Sequence, residues 1–298
     1  MIKSYVLTTL MLFRKHSIAK KSFAKINLSL KITGKREDGY HLLEMVNLPL
    51  SLHDVIEVSI LDDTDTYVTA DDPKLNGMKS NLCHQAVEEM RNVFHFKENF
   101  LIQIHKEIPF AAGLGGGSSN AACVIEAINC LLGLHASKEQ LLQVALRIGS
   151  DVPFFFLNKP ALLTGIGEEM KEIKVKENYH CLLIKPKLGV STAACYKVCD
   201  DFERSSIDTE KVVEGLSSGD DNLIKENMGN DLTEPAKTIC PEIAIVLNEL
   251  HGLGFTLVGM SGSGSCCFAL TKDAKKFKDA LKHFEDTPYI VRPCDVLR

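Results

Sequence analysis

The chain has no apolar run long enough to cross a bilayer, no Cys-x-x-Cys pair, no Gly-Lys-Ser/Thr tripeptide and no basic cluster interleaved with aromatics. Each gap excludes something. A spanning helix needs about twenty apolar residues, and the apolar stretch from Tyr5 to Phe13, flanked by Lys3 and by Arg14-Lys15, is too short. No small-residue cleavage site follows it. An extra strand, a ragged tail or a true start at Met11 all fit that stretch, and no function is assigned to residues 1–21. The net charge of −5 and the missing basic patch argue against a nucleic-acid partner, so any anionic substrate must be caught locally. The ten cysteines have no matching histidine set. They read as reduced, mostly buried thiols in a cytoplasmic setting, with metal ligands unknown.

At 298 residues, 45% hydrophobic and 24% charged, the chain has the composition of a soluble enzyme and the length for two domains. Its most informative stretch is Pro109-Phe110-Ala111-Ala112-Gly113-Leu114-Gly115-Gly116-Gly117-Ser118-Ser119-Asn120. Glycines let the backbone approach an oxyanion and adopt positive φ. Ala121, Ala122, Val124, Ile125, Ile128, Leu131 and Leu132 follow at helical spacing, with Ser118 or Ser119 as N-cap and Gly133 at the stop. A glycine loop feeding a helix N-terminus is a phosphate cradle, because orphan N–H groups and the positive dipole end point the same way. It is neither a Walker A loop nor a dinucleotide fingerprint, since the first strand and ribose-binding acid of the latter are missing.

Along the chain, Phe23 to Thr33 alternates as a half-buried strand, with Lys25 and Asn27 on one side and about 7 Å apart. A turn over Gly34–Gly39 leads to strands Tyr40–Leu50 and Val55–Leu61, broken around His53-Asp54, and Asp62–Lys79 reads as loop. Asn81 caps a helix through Phe94, and Ser137 with Gln140 forms a capping box for a helix ending at Gly149. Ser150-Asp151-Val152-Pro153 interrupts the chain before a very apolar segment. Thr164 to Glu168 marks the boundary between domains 1–165 and 166–298. The second half reads as strand Cys181–Ile184, helices Thr209–Leu216 and Pro241–Leu250, strands Phe255–Val258 and Cys266–Leu270, helix Ala274–His283 and a last strand near Tyr289. Two antiparallel sheets with interspersed helices make the expected class α+β.

Phosphoryl transfer needs a phosphate cradle, a metal, a cation and a group that orients the acceptor hydroxyl. Asp151, beside the apolar segment, suits a general base, although an isolated turn aspartate is ordinarily a cap; an isolated Lys25 is ordinarily solvated.

The loop resembles that of the GHMP kinases. Ser22-Phe23-Ala24-Lys25-Ile26-Asn27-Leu28 with Asp38-Gly39-Tyr40-His41 resembles the opening of one branch, the 4-diphosphocytidyl-2-C-methyl-D-erythritol kinase family. Gly149–Phe154, Gly165–Glu168, Lys185–Thr192, Asn230–Leu232 and Met260–Gly264 are similar to its later signatures. Phe23 and Ser150 depart mildly from the usual proline and alanine, and Thr233 stands where glutamate is frequent. The resemblance implies a two-domain fold, ribosomal protein S5 domain 2-like and then ferredoxin-like. It implies an ATP-dependent kinase of isoprenoid precursor synthesis, acting on the 2-hydroxyl of a cytidine diphosphate sugar alcohol with ATP and Mg2+. Lys25 and Asp151 are then the catalytic pair, and Pro109 to Ser119 hold the ATP phosphates. Asn27 orients the hydroxyl, Tyr40 and His41 form the cytidine pocket with His41 stacking on cytosine, and Ser191-Thr192 and Ser261-Gly262 approach the diphosphate and acceptor. The competing readings are a homoserine or mevalonate type kinase and a non-catalytic binding module of the same fold. No membrane and no obligate protein partner is expected.

Overall fold

The computed structural model describes residues 14–71 and 81–298, so Tyr5 to Phe13 and the end of the polar stretch after Asp71 lie outside it. Two strands exceed expectation: β1 (Arg14–Lys35) and β2 (His41–Leu61). The break expected at His53-Asp54 is absent. The Asp54 carboxylate is fully buried and accepts from Lys106 Nζ and from the Glu107 N–H, so the polar pair is answered without leaving the strand.

The residues gather into two compact units, and β1 and β2 contribute to both. The first unit comprises the chain through Ser22 with 53–107 and 116–156. Here the far half of β2 pairs antiparallel with β4 (Asn99–His105), and β3 (Tyr67–Ala70) lies parallel to β4. β3 falls where a loop was expected; four residues, one of them buried, are too few for alternation to stand out. Asn81 caps α1 (Leu82–Phe94) by accepting from the Cys83 N–H. The predicted capping box opens α3 (Lys138–Ile148), and α4 (Phe154–Leu157) is one turn. Between α1 and α3 in sequence, α2 (Gly116–Leu131) buries most of its surface from Ser119 to Ile128, and its Asn120 accepts from Ser22 Oγ at 2.6 Å.

The second unit comprises 23–52, 108–115 and 157–298. β5 (Ala161–Thr164) pairs with β2 and with β6 (Glu169–Glu172). A second sheet is antiparallel in the order β10–β7–β9–β8, from β7 (His180–Lys185), β8 (Leu257–Met260), β9 (Cys267–Thr271) and β10 (Ile290–Asp295). Its helices are α5 (Thr192–Val198), α6 (Thr209–Ser218), α7 (Asp221–Asn227), α8 (Thr233–Ile239), α9 (Glu242–Gly252) and α10 (Ala274–Phe284). Helices α5, α7 and α8 were not foreseen; seven residues give barely two turns of periodicity. The core joins Ala24, Ile26 and Leu28 to Val46, Leu48, Leu50, Leu183, Leu257 and Phe268. β1 is not half-buried here: Lys25 is 3% exposed and Asn27 1%.

This unit also fixes the first part of the glycine loop. Three successive carbonyls are engaged: Ala112 O by the Cys266 N–H (3.2 Å), Gly113 O by Ser261 Oγ (2.8 Å) and Leu114 O by the Lys25 N–H (3.0 Å). Gly113 and Gly115 take φ of +73° and +70°, whereas Gly116 and Gly117 are helical. Ser118 and Ser119 therefore sit inside the first turn of α2 instead of capping it, because the helix starts at Gly116. A Cβ on Gly113 would lie 2.0 Å from Ser261 O, while one on Gly117 would meet only Leu82 Cδ1 at 3.6 Å. A left-handed non-glycine residue costs about 1–2 kcal/mol, and overpacking adds about 1–3 kcal/mol. Gly113→Ala should therefore lower stability by more than about 2 kcal/mol, and Gly117→Ala should stay within about 1 kcal/mol of the parent. Urea melts of the two variants check this; equal midpoints would mean that the Gly113 contact constrains nothing.

Candidate active site

Lys25 and Asn27 leave the same side of β1, as the alternation requires. Lys25 Nζ donates to Asn27 Oδ1 at 2.7 Å, and Asn27 Nδ2 donates to Asn47 Oδ1 at 2.6 Å with Met45 Sδ at 3.4 Å. The Asn27 N–H donates to Ser261 Oγ, whose own proton goes to Gly113 O. One hydroxyl thus joins β1, the glycine loop and the turn after β8. Gly262 follows at φ +56°, and a Cβ there would approach Gly113 O to 3.1 Å and Asn27 Oδ1 to 3.5 Å. Asn230 shapes the same turn, its Nδ2 donating to Met260 O and Gly262 O at 2.8 Å each. Thr192 Oγ1 is 2.9 Å from Ser263 Oγ, which brings the Ser191-Thr192 pair to this turn. Ser191 itself caps α5 by accepting from the Ala194 N–H. A buried ammonium, a glycine loop and several small hydroxyls on one hydrogen-bonded frame can receive phosphate oxygens and steady developing negative charge.

Tyr40 ends the turn before β2, and His41 begins the strand. Tyr40 is 61% exposed, whereas the His41 ring stacks on Tyr196 of α5 at 5.1 Å and 26°. His41 Nε2 lies 2.9 Å from Asp200 Oδ1, and Lys35 Nζ donates to Asp200 Oδ2 at 2.6 Å. Asp200 thereby holds both residues that flank the 36–40 turn. Hydrogen bonds from Lys35 and then His41 keep its carboxyl well below the usual range. Cys199 Sγ is 3.7 Å from His41 Nε2, so the fold supplies a histidine that the cysteine spacing alone did not. His41, Cys199 and Asp200 offer ligand atoms within 4.8 Å of one another, yet Lys35 and Arg204 already answer the carboxylate, which leaves little for a divalent ion. The ten cysteines are unbridged and only Cys130 is exposed; burial pushes the Cys83 thiol up to about 12.

Asp151 belongs to the first unit. It lies half-buried in the turn between α3 and α4, held by the Val152 N–H donating to Gly149 O and by the buried Val152 and Phe154. Pro109 is half-buried and Phe110 is 61% exposed ahead of the fixed part of the loop. Sequence reasoning missed Asn47, Tyr196 and Asp200. Asn47 reads there as one polar residue in an apolar strand, and the other two lie in a helix and turn too short to be seen.

Two family models match the chain, GHMP kinases N terminal domain over residues 81–159 and GHMP kinases C terminal over 212–286. A 4-diphosphocytidyl-2-C-methyl-D-erythritol kinase of Bacillus subtilis is 36% identical over 280 residues, covering 92% of this chain and 96% of its own. A crystal structure of 4-(cytidine 5'-diphospho)-2C-methyl-D-erythritol kinase superposes with a TM-score of 0.76 at 29% identity, covering 94% of this chain and 99% of the other. A homoserine kinase from Cytophaga hutchinsonii gives 0.70 at 17% identity, covering 95% of each chain, a likeness of fold alone. The fold is the α+β two-domain GHMP kinase fold, as the resemblance implied. With family models matching in both halves and a relative 36% identical over 92% of the chain, the protein belongs to the GHMP kinases and, among them, to the 4-diphosphocytidyl-2-C-methyl-D-erythritol kinase family.

Proposed function

We infer that the chain is an ATP-dependent kinase that phosphorylates the 2-hydroxyl of 4-diphosphocytidyl-2-C-methyl-D-erythritol, in the non-mevalonate route to isoprenoid precursors. The observation that carries this reading is the Lys25 frame: its backbone N–H is bonded to the glycine loop and its side chain is buried beside Asn27. The relatives' names supply the substrate, and the Asp38-Gly39-Tyr40-His41 segment is the sequence feature that favours a base-bearing acceptor over homoserine or mevalonate. A non-catalytic module is disfavoured by the presence of Lys25, Asp151 and every loop glycine.

In this reading Asp151 takes the proton of the acceptor hydroxyl, and Lys25 lowers that hydroxyl's pKa and steadies the charge on the transferring group. Asn27 orients the acceptor. Pro109 to Ser119 hold the ATP phosphates, by the glycine backbone and by the N–H groups at the start of α2. Ser118 and the phosphates of the nucleotide itself would hold Mg2+, which would supply neutralisation of the phosphate charge. Ser191, Thr192, Ser261 and Gly262 take the diphosphate and acceptor end, and Tyr40 with His41 takes the cytidine. The family-model matches fall on either side of residue 165, which supports a division into 1–165 and 166–298. Among the described residues no helix is long and apolar enough to cross a membrane.

The direct test is coupled ADP release with the cytidine substrate, homoserine and mevalonate offered in parallel. Turnover should appear with the first alone; equal or better turnover with either of the others would replace the substrate. Asp151→Asn keeps the side-chain shape and removes the base, so kcat should fall by about 10² to 10⁴. A variant within a factor of a few of the parent across pH would take the base role from Asp151. His41→Ala removes a ring worth about 1–3 kcal/mol against a base. KM for the cytidine substrate should rise by roughly ten- to a hundredfold with KM for ATP unmoved. A lower melting temperature with both KM values unchanged would make His41 a packing residue.

A further inference from the structure

Asn47 has no exposed surface, and its Nδ2 is one of the few buried side-chain nitrogens or oxygens without a hydrogen-bond partner among the described residues. Buried amides are nearly always satisfied, so an orphan of this kind needs a cause. The cause can be followed atom by atom from Lys25. An ammonium offers donors only. The Asn27 atom 2.7 Å from Lys25 Nζ must therefore be its oxygen. That choice turns the Asn27 amine the other way, onto Asn47 at 2.6 Å. Facing a donor, Asn47 must present its own oxygen, and its amine is left over. Flipping Asn47 to relieve the orphan would set amine against amine. Flipping both residues would set the Asn27 amine against the ammonium. The direction of the relay is imposed by Lys25, and the unsatisfied group at its far end follows from it.

We propose that Asn47 is a positioning residue for phosphoryl transfer: it locks the Asn27 amide in the orientation that aims the Lys25 ammonium. This rests on the role given to Lys25 above. A lysine carries its charge on a flexible four-carbon stem. Anchoring one N–H on a fixed oxygen restricts the directions of the other two. Without an acceptor at position 47, the Asn27 amine loses its strong partner and keeps the Met45 sulfur at 3.4 Å, a weak one. The amide can then turn, and the ammonium loses its anchor. Asn47 touches neither the loop nor Ser261 in any hydrogen bond, so its influence runs through Asn27.

The role separates cleanly from a packing role, because the two make opposite predictions for an apolar replacement. Asn47→Leu keeps the branched outline of the side chain, with methyl groups bulkier than the amide, and deletes the orphan amine together with the acceptor. If position 47 only packs, the variant should lose at most the stability that overpacking costs, with kcat intact in the folded protein. If Asn47 positions Lys25, kcat should fall on the order of ten- to a hundredfold, the scale of a small misplacement of a catalytic group. KM for ATP and for the cytidine substrate should each stay within twofold. In an Asn27→Ala background the same change should cost less than twofold, since the route through Asn27 is already gone. Asn47→Asp keeps an acceptor for Asn27 and should hold kcat within a few-fold of the parent, which also serves should Asn47→Leu fold poorly. Full kcat in folded Asn47→Leu, or a loss that simply multiplies in the Asn27→Ala background, would overturn the proposal. So would Asn47→Asp folding normally and losing activity as deeply as the tenfold or more expected for Asn47→Leu. If the parent chain itself releases no ADP with the cytidine substrate, the kinase reading falls instead, and the parent assay run beside the variants tells the two failures apart.

Discussion

A side chain missing at Gly113 is the constraint on which the second unit's frame depends. The Ser261 carbonyl occupies the space that a Cβ would need, 2.0 Å from where that atom would stand. This approach brings Ser261 Oγ between Gly113 O and the Asn27 N–H, so the loop, β1 and the turn after β8 share one hydroxyl. The Lys25 N–H on Leu114 O and the Cys266 N–H on Ala112 O close the frame from either side. None of these bonds is strong alone; a typical one contributes about 1 kcal/mol net. Their effect is geometric, since together they leave the loop a single path past β1.

Polar groups are treated differently at the two ends of the second unit. Around Lys25 they are buried and matched one to one, with Ser29 Oγ and Asn47 Nδ2 left over. A buried unmet donor costs about 1–3 kcal/mol, so this region gives up stability to keep a particular arrangement of charge. Around Asp200 the Lys35 and Arg204 partners reach solvent and pair with it as surface ion pairs, each worth about 0–1 kcal/mol, while the His41 side chain is largely covered. One end is rigid and specific. The other carries the exposed Tyr40 and is held mainly by contacts at the surface.

Where the sequence was readable, the signal was local. The capping box at Ser137 and Gln140, the Asn81 cap, the apolar helix after the glycines and the alternation through Lys25 and Asn27 each need only a few neighbouring residues, and each is observed. Where it failed, the deciding contact was distant. β2 continues through Asp54 because Lys106 is there to meet the carboxylate, 52 residues away. His41 leans on Tyr196 and Asp200 across about half the chain. Asn47 shows its meaning only once Asn27 lies opposite it. Which glycines of the loop carry positive φ was not legible either, because that depends on where α2 begins.

The continuity of β1 and β2 through both units bears on how the molecule must be made. Neither unit is a continuous stretch of chain: the second takes its first strands from residues 23–52 and its last from β10, with Cys294 and Val296 part of the core that packs Ala24 and Ile26. A ribosome delivers Ala24 long before Val296. β2 can therefore meet the apolar side of β1 early through Val46, Leu48 and Leu50, while the part of that core built by Leu257, Phe268, Cys294 and Val296 must wait for nearly the whole of synthesis. Contacts of such long sequence separation slow folding and lengthen the exposure of sticky strands. A chain cut short of Cys294 and Val296 would leave that core unclosed, so the yield of folded protein depends on the last strand being made intact.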